Sequence, residues 1–236
     1  MPETQRGIAE ALQGSFLFPL LDPQDRERFV RAAQSRSWRA GATIFVMDDP
    51  GTSMMLVRGG TVRISSPTPE GRSVVLADLG PGAVFGEIAL LDGGRRSADA
   101  TAATDCTLLV FERRDFLPLL RGNWQLTEAV LRVVCERLRR ADAFIVDLAF
   151  SDLPGRLAKT LIGRARADPG GGSYVTDTQG VLAAMVGSSR EAVNRCLAKW
   201  QKEGLVGISG GRIDLLDPEG LAGEHADLRD SSVRTR

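Results

Sequence analysis

Histidine occurs once, tyrosine once and cysteine three times in a chain of 236 residues. Each scarcity excludes something. One histidine, His225, leaves no HExxH pair and no Ser–His–Asp set, and no Walker-type glycine loop is present. The sequence therefore offers no constellation for hydrolysis or group transfer, and the expectation is a protein that is not an enzyme. Cys106, Cys135 and Cys196 lie far apart and no CxxC pair occurs, which argues against a disulfide framework or a zinc knuckle and suits a reducing compartment. Thirty basic residues balance thirty acidic ones. No global basic field draws the chain to nucleic acid, so any such attraction must be local. There is no N-terminal apolar h-region and no run of about 18 apolar residues. The expectation is a cytoplasmic chain that is neither secreted nor membrane-spanning.

What is present is enough for a folded core: 43% of residues are hydrophobic and 25% are charged. Residues 8–34 read as short helices, with Asp22 as a cap and Pro23 in a first helical position. From about Trp38 to Val110 the pattern changes to short β-rich runs, "TIFVM", "MMLVRG", "TVRIS", "SVVLADL" and "TLLVF", punctuated by glycine and proline. Strands at such spacing predict a small β-barrel or jelly roll. After Phe111 the period becomes helical. A long helix is expected from about Trp124 to Phe150, with Leu131, Val134, Leu138, Ala141, Ile145 and Leu148 alternating steps of three and four. That is a coiled-coil seam; the alternative is a helix packed against its own barrel.

"SDLPG" (Ser151 to Gly155) breaks this helix and is read as a domain boundary. The expected domains are 1–122, with helices and β-roll, then a long helix at 123–150, then a C-terminal domain at 151–236. The next helix, "GRLAKTLIGRARA", is expected to end before "DPGGGS", and the polar tail from Gly220 to be loosely ordered. Within the last domain, "TQGVLAAMVGSSREAVNRCLAKW" reads as two helices about a turn at Gly187, with Ser188 or Ser189 capping the second. Val193, Cys196, Leu197 and Trp200 gather on one side of that helix. Arg190, Glu191, Asn194, Arg195, Lys199 and Lys202 gather on the other. Across residues 188–203, four basic residues against two acidic ones leave a local +2. Such a face suits a major groove, because Arg can fork onto guanine and Glu can accept from cytosine; it also suits an ordinary solvated helix. "GLVGISGGRIDLL" supplies a hairpin around Gly210-Gly211, the wing of a winged helix-turn-helix, from which Arg212 can reach a phosphate.

The stretch "FGEIALLDGGRRSADATA" holds the remaining chemistry. Gly86 lets backbone approach a ligand closely. Glu87 can accept from a sugar hydroxyl, and Arg96 offers a planar fork for a phosphate with the Ser97 hydroxyl beside it. The alternative is a surface ion pair from Glu87 to Arg95 or Arg96, worth little.

These residues resemble a known family. "FGEIALLDGGRRSADATA" resembles the phosphate-binding cassette of cyclic-nucleotide-binding domains. "MVGSSREAVNR" and the junction "DLAFSDLPGRLAKTL" resemble the recognition motif and hinge of the CRP/FNR family of bacterial transcription regulators. The resemblance covers about residues 15–217. It implies an α+β fold: a cyclic-nucleotide-binding β-roll (jelly roll), a long dimerisation helix and a winged helix-turn-helix. It implies a homodimer controlled by cAMP that binds palindromic double-stranded DNA with TGTGA-like half-sites, and RNA polymerase as a further partner. Residue by residue, Glu87 takes the ribose hydroxyl and Arg96 the cyclic phosphate. Gly86, Ile88, Ser97 and Ala98 surround them. Arg190, Glu191 and Arg195 read bases, while Gln179, Ser189, Asn194, Lys199 and Arg212 complete the DNA-contacting set.

Two departures stand out. Where the cAMP receptor protein places a Thr-Ser pair on the adenine, this chain has Ala141 and Asp142, the second an acceptor only when ionised. That leaves cAMP, cGMP or DNA binding without a small molecule open. Gly180-Val181 replaces a more polar pair in the first recognition-motif helix. The cysteine spacing does not fit an iron–sulfur sensor and the tail position of His225 does not fit a haem sensor; no metal is expected.

Overall fold

Ser53 to Val57 are all buried, which a strand achieves only when both of its faces are covered. In the computed structural model, which describes residues 8–231 apart from Ala11, Gly14, Phe16 and residues 69–72, this strand is the pivot of the first half. Strands β1 (Gln34–Trp38), β2 (Thr43–Phe45), β3 (Ser53–Gly59), β4 (Val62–Pro67), β5 (Ser73–Leu79), β6 (Val84–Phe85), β7 (Asp99–Ala102) and β8 (Cys106–Glu112) form two four-stranded sheets. Their orders are β1-β8-β3-β6 and β2-β7-β4-β5.

Alternation along β3 and β8 builds two cores. Met55 and Val57 of β3, with Leu108 and Val110 of β8, join Val62, Ile64, Phe85, Ala100 and Ala102 between the sheets. Met54 and Leu56, with Leu109 and Phe111, point the other way into a helical layer. That layer is α1 (Pro23–Ala32), α2 (Glu87–Asp92), α3 (Arg113–Gly122) and the start of α4 (Trp124–Phe150). Phe29 stacks on Phe111 at 4.2 Å, and Leu126 and Val130 of α4 are buried there. As expected, Asp22 caps α1 by accepting from the Asp25 amide, and a proline opens it.

The second half contains α5 (Leu153–Arg164), β9 (Arg166–Ala167), β10 (Ser173–Val175), α6 (Gln179–Val186), α7 (Arg190–Lys202), β11 (Val206–Ser209), β12 (Arg212–Leu215) and α8 (Pro218–Ser231). The strands order as β11-β12-β10-β9. Leu157, Leu161, Leu182, Val186, Leu197, Trp200, Ile213 and Leu215 form its core.

Two expectations need correction. Helix α5 stops at Arg164, and Arg166–Ala167 pairs with β10 as a strand. The tail is not loose from Gly220. Asp217 accepts from the Gly220 amide at 2.8 Å, α8 follows, and Leu221 is fully buried. The chain divides into two compact units, and the division between them falls inside α4, between Arg139 and Arg140. The end of α4 is tied to the C-terminal unit by Lys159, which pairs with Asp147 at 2.5 Å, and just after the helix Arg156 donates to the carbonyls of Ser151 (2.5 Å) and Val186 (3.0 Å).

Candidate functional site

Gly86 begins the first site. Its φ of 76° is left-handed, and a Cβ there would meet Arg96 Nη1 at 2.5 Å and the Ser53 carbonyl at 3.2 Å. Only glycine satisfies both demands. The turn it makes starts α2 with Glu87 in the first turn, and folds the Glu87 carboxylate inward until it is fully buried. Among the described residues, neither carboxylate oxygen accepts a hydrogen bond. Arg137 Nε of α4 lies 3.2 Å from Oε1, close enough for an ion pair but not aligned as a hydrogen bond. Burial raises the Glu87 pKa above the ordinary 4.5, with Arg137 the chief opposing influence.

Arg96 arrives from the segment before β7 and is 5% exposed. Its Nη1 donates to the carbonyls of Ser53 (2.7 Å) and Gly86 (3.1 Å), and its Nη2 to Ser53 Oγ (3.0 Å). The guanidinium lies 4.2 Å from the centre of the Phe45 ring, a cation–π contact. Nε has no partner among the described residues. Burial pulls the Arg96 pKa below its usual value.

Gly86, Glu87, Ile88, Arg96, Ser97 and Ala98, expected from sequence to share a site, all line one cavity with Phe45, Ile64 and Arg137. Its volume is about 20 Å³, room for a water. A drug-sized or nucleotide-sized ligand occupies a pocket of about 300 Å³ or more, so its entry requires side chains to move. Ala141 and Asp142 lie exposed on α4 and are not among the residues lining this cavity. Phe45, Ile64, Ala89 and Arg137 are the lining residues that sequence reasoning missed. Arg137 was findable: it sits one helical turn before Ala141, on the same face. The alternative reading, a surface ion pair from Glu87 to Arg95 or Arg96, gives way to a buried pair with Arg137; Arg95 instead donates to the Asp48 carbonyl at 2.6 Å.

The second constellation lies in the C-terminal unit. Ser189 caps α7 by accepting from the Ala192 amide at 3.2 Å. Val193, Cys196, Leu197 and Trp200 are buried, as the wheel requires. Arg190, Glu191, Asn194, Arg195 and Lys199 are exposed. Hydrogen bonding from its own amide and from Ser189, with Arg190 and Arg195 nearby, lowers the Glu191 pKa and keeps it an acceptor. Gln179 of α6 donates to Asn194 Oδ1 at 3.2 Å, tying the two helices together. Lys199 lies 3.7 Å from Glu203 and 4.0 Å from Glu224. The hairpin β11–β12 turns through Gly210 (φ 55°) and Gly211 (φ 79°), with Ser209 opposite Arg212. Two central residues with positive φ make the type I′ connection that suits a two-residue hairpin loop. Arg212 differs from expectation: its guanidinium is engaged by Asp168 and by Asp214 (2.5 Å), and sits 3.9 Å over the Tyr174 ring.

Comparison with known proteins matches both halves. The cyclic nucleotide-binding domain family matches residues 35–123, and the Crp-like helix-turn-helix domain family matches residues 155–224. A CRP-like cAMP-activated global transcriptional regulator of Mycobacterium tuberculosis is 32% identical over 218 residues, covering 90% of this chain and 97% of that one. The chain belongs to the CRP/FNR family of transcription regulators. Another relative, the cyclic AMP receptor protein of Thermus thermophilus, is 35% identical over 204 residues, covering 86% of this chain and 94% of that one. Among solved structures, the c-di-GMP-responsive global regulator CLP of Xanthomonas campestris superposes with a TM-score of 0.72 at 25% identity, over 83% of this chain and all of that one. This CRP/FNR regulator is thus a DNA-binding protein and not an enzyme, with the α+β fold expected for the family. No helix among the described residues is long and apolar enough to cross a membrane.

Proposed function

We propose that this CRP/FNR regulator is a homodimer whose sequence-specific DNA binding is controlled by a cyclic nucleotide, cAMP first. One observation carries the effector reading. Three buried polar atoms without hydrogen-bond partners among the described residues, Glu87 Oε1, Glu87 Oε2 and Arg96 Nε, belong to residues lining a single cavity. A buried unsatisfied polar group costs about 1–3 kcal/mol, and more when charged. A ribose hydroxyl donating to Glu87, and a cyclic phosphate accepting from Arg96, relieve that cost together. Asp142 is an acceptor for an adenine amino group or for the N–H donors of guanine, which keeps cGMP as the rival effector.

The dimer reading is supported by α4, where Leu131 (48%), Leu138 (62%), Ile145 (62%) and Leu148 (43%) are exposed at seam positions. Symmetric recognition helices then read half-sites about 34–36 Å apart, with Arg190, Glu191 and Arg195 on a TGTGA-like pattern and Gln179, Ser189, Asn194 and Lys199 at its backbone. RNA polymerase is the partner that such a regulator addresses, and the cytoplasm its compartment. A second reading, DNA binding without a small molecule, is favoured by the roughly 20 Å³ cavity. Calorimetry of the purified protein with cAMP and with cGMP separates them. Saturable binding of either, lost in Glu87→Gln, supports an effector; absence of heat with both supports the second reading.

A further inference from the structure

The wing arginine is held by acids of its own domain. Tyr174 of β10 pairs in register with Asp214 of β12, and also with Arg166 of β9. Val175, Ile213 and Leu215 point into the core, so Tyr174, Arg212 and Asp214 share the opposite, solvent-facing side of the sheet. Asp168 joins them from the loop between β9 and β10. One of its oxygens, Oδ1, accepts from the Gly170 amide at 3.0 Å, and its Oδ2 accepts from Arg212 Nη2. Asp214 Oδ1 accepts from Arg212 Nε at 2.5 Å, and the Tyr174 ring backs the guanidinium at 3.9 Å. Arg166 and Arg212 against Asp168 and Asp214 leave this face with no net charge. The polar face of α7 and its C-terminal cap carry Arg190, Arg195, Lys199 and Lys202 against Glu191 and Glu203, a net +2. The wing face is therefore neutral where the polar face of α7 is basic.

We propose that Asp168 sets DNA affinity by holding the Nη2 edge of Arg212, with Asp214 on its Nε, so that in the parent the wing arginine makes no phosphate contact and loss of the Asp168 charge frees that edge for one. This rests on the wing approaching the DNA backbone, as in the function proposed above. A phosphate contact made by Arg212 carries no sequence information. Releasing the arginine should therefore tighten specific and non-specific binding by the same factor and leave base preference untouched.

Asp168→Asn tests this without loosening the loop, because the amide oxygen still accepts from Gly170 while the charge is gone. The probes are a duplex carrying TGTGA-like half-sites and a scrambled duplex, titrated between 50 and 200 mM salt. One added phosphate contact steepens the slope of log K against log salt by about 0.9, so the variant should lose about 3-fold more affinity than the parent across that range, while binding more tightly at 50 mM. Arg212→Ala placed in the Asp168→Asn background should return both quantities to the parent's values. Unchanged affinity and slope in Asp168→Asn, or a gain that survives removal of Arg212, overturns the proposal and makes the cluster a structural clamp. Discrimination between the two duplexes is read in the same titrations. If the parent itself fails to discriminate them, the half-site assignment has failed, and the salt slopes still judge Asp168 alone.

Discussion

Arg96 has two tasks that removal of its side chain cannot separate. The guanidinium donates to two carbonyls and a hydroxyl in a buried site and stacks on Phe45, so the fold leans on it as well as the ligand. Arg96→Ala should lose effector binding and also about 1–3 kcal/mol of stability, from acceptors left unpaired. Denaturant titration beside calorimetry checks both; full stability would mean that those acceptors find other donors. Glu87 makes a prediction with a definite sign. Its pKa is raised on folding, so it favours the folded state below pH 4.5, and that contribution is lost as pH rises through the folded value. Stability should fall across this window in the parent but not in Glu87→Gln. Identical pH profiles for the two proteins would show that the carboxylate is already satisfied. On the DNA side, Arg190→Ala should cost about 1–3 kcal/mol of sequence-specific affinity and relax one base position, read by binding to a set of single-base operator variants.

At the scale of elements, legibility followed side-chain chemistry. β3 and β8 could be read because "MMLV" and "TLLVF" are apolar runs long enough to be buried on both faces. β7 could not: its sequence is "DATA", and Asp and Ala are poor strand formers, although Ala100 and Ala102 are fully buried between the sheets. β1, "QSRSW", shows no alternation because it is mostly exposed and takes its register from β8. The last helix looked like tail because its composition is polar; Leu221 is the apolar residue that it buries among those described. Six of the eight residues assigned to the effector site meet at one cavity because they are close in sequence. Arg137 and Phe45 were missed because the fold brings them there from far along the chain. The long helix carries its own test. Leu138 is 62% exposed in the single chain, so Leu138→Asp should keep its helicity while sedimentation changes from dimer to monomer. A parent that sediments as a monomer would remove the seam from the account.

For the whole molecule the claim is one of coupling. A ligand that pairs with Glu87 and Arg96, and displaces or recruits Arg137 on α4, has differential contacts with alternative arrangements of that helix. Differential contacts are what a ligand needs to shift an equilibrium. The same helix supplies the exposed seam, and its last turn is tied to the DNA-binding unit by the Asp147–Lys159 pair. The most direct measurement is the affinity of the full-length protein for a palindromic TGTGA-type duplex with and without saturating cAMP, at fixed salt. The account predicts that cAMP tightens binding by about 5–150-fold, the range of a typical allosteric coupling, and that Glu87→Gln abolishes the difference. Equal affinity with and without the nucleotide, in a protein that does bind it, would contradict the account.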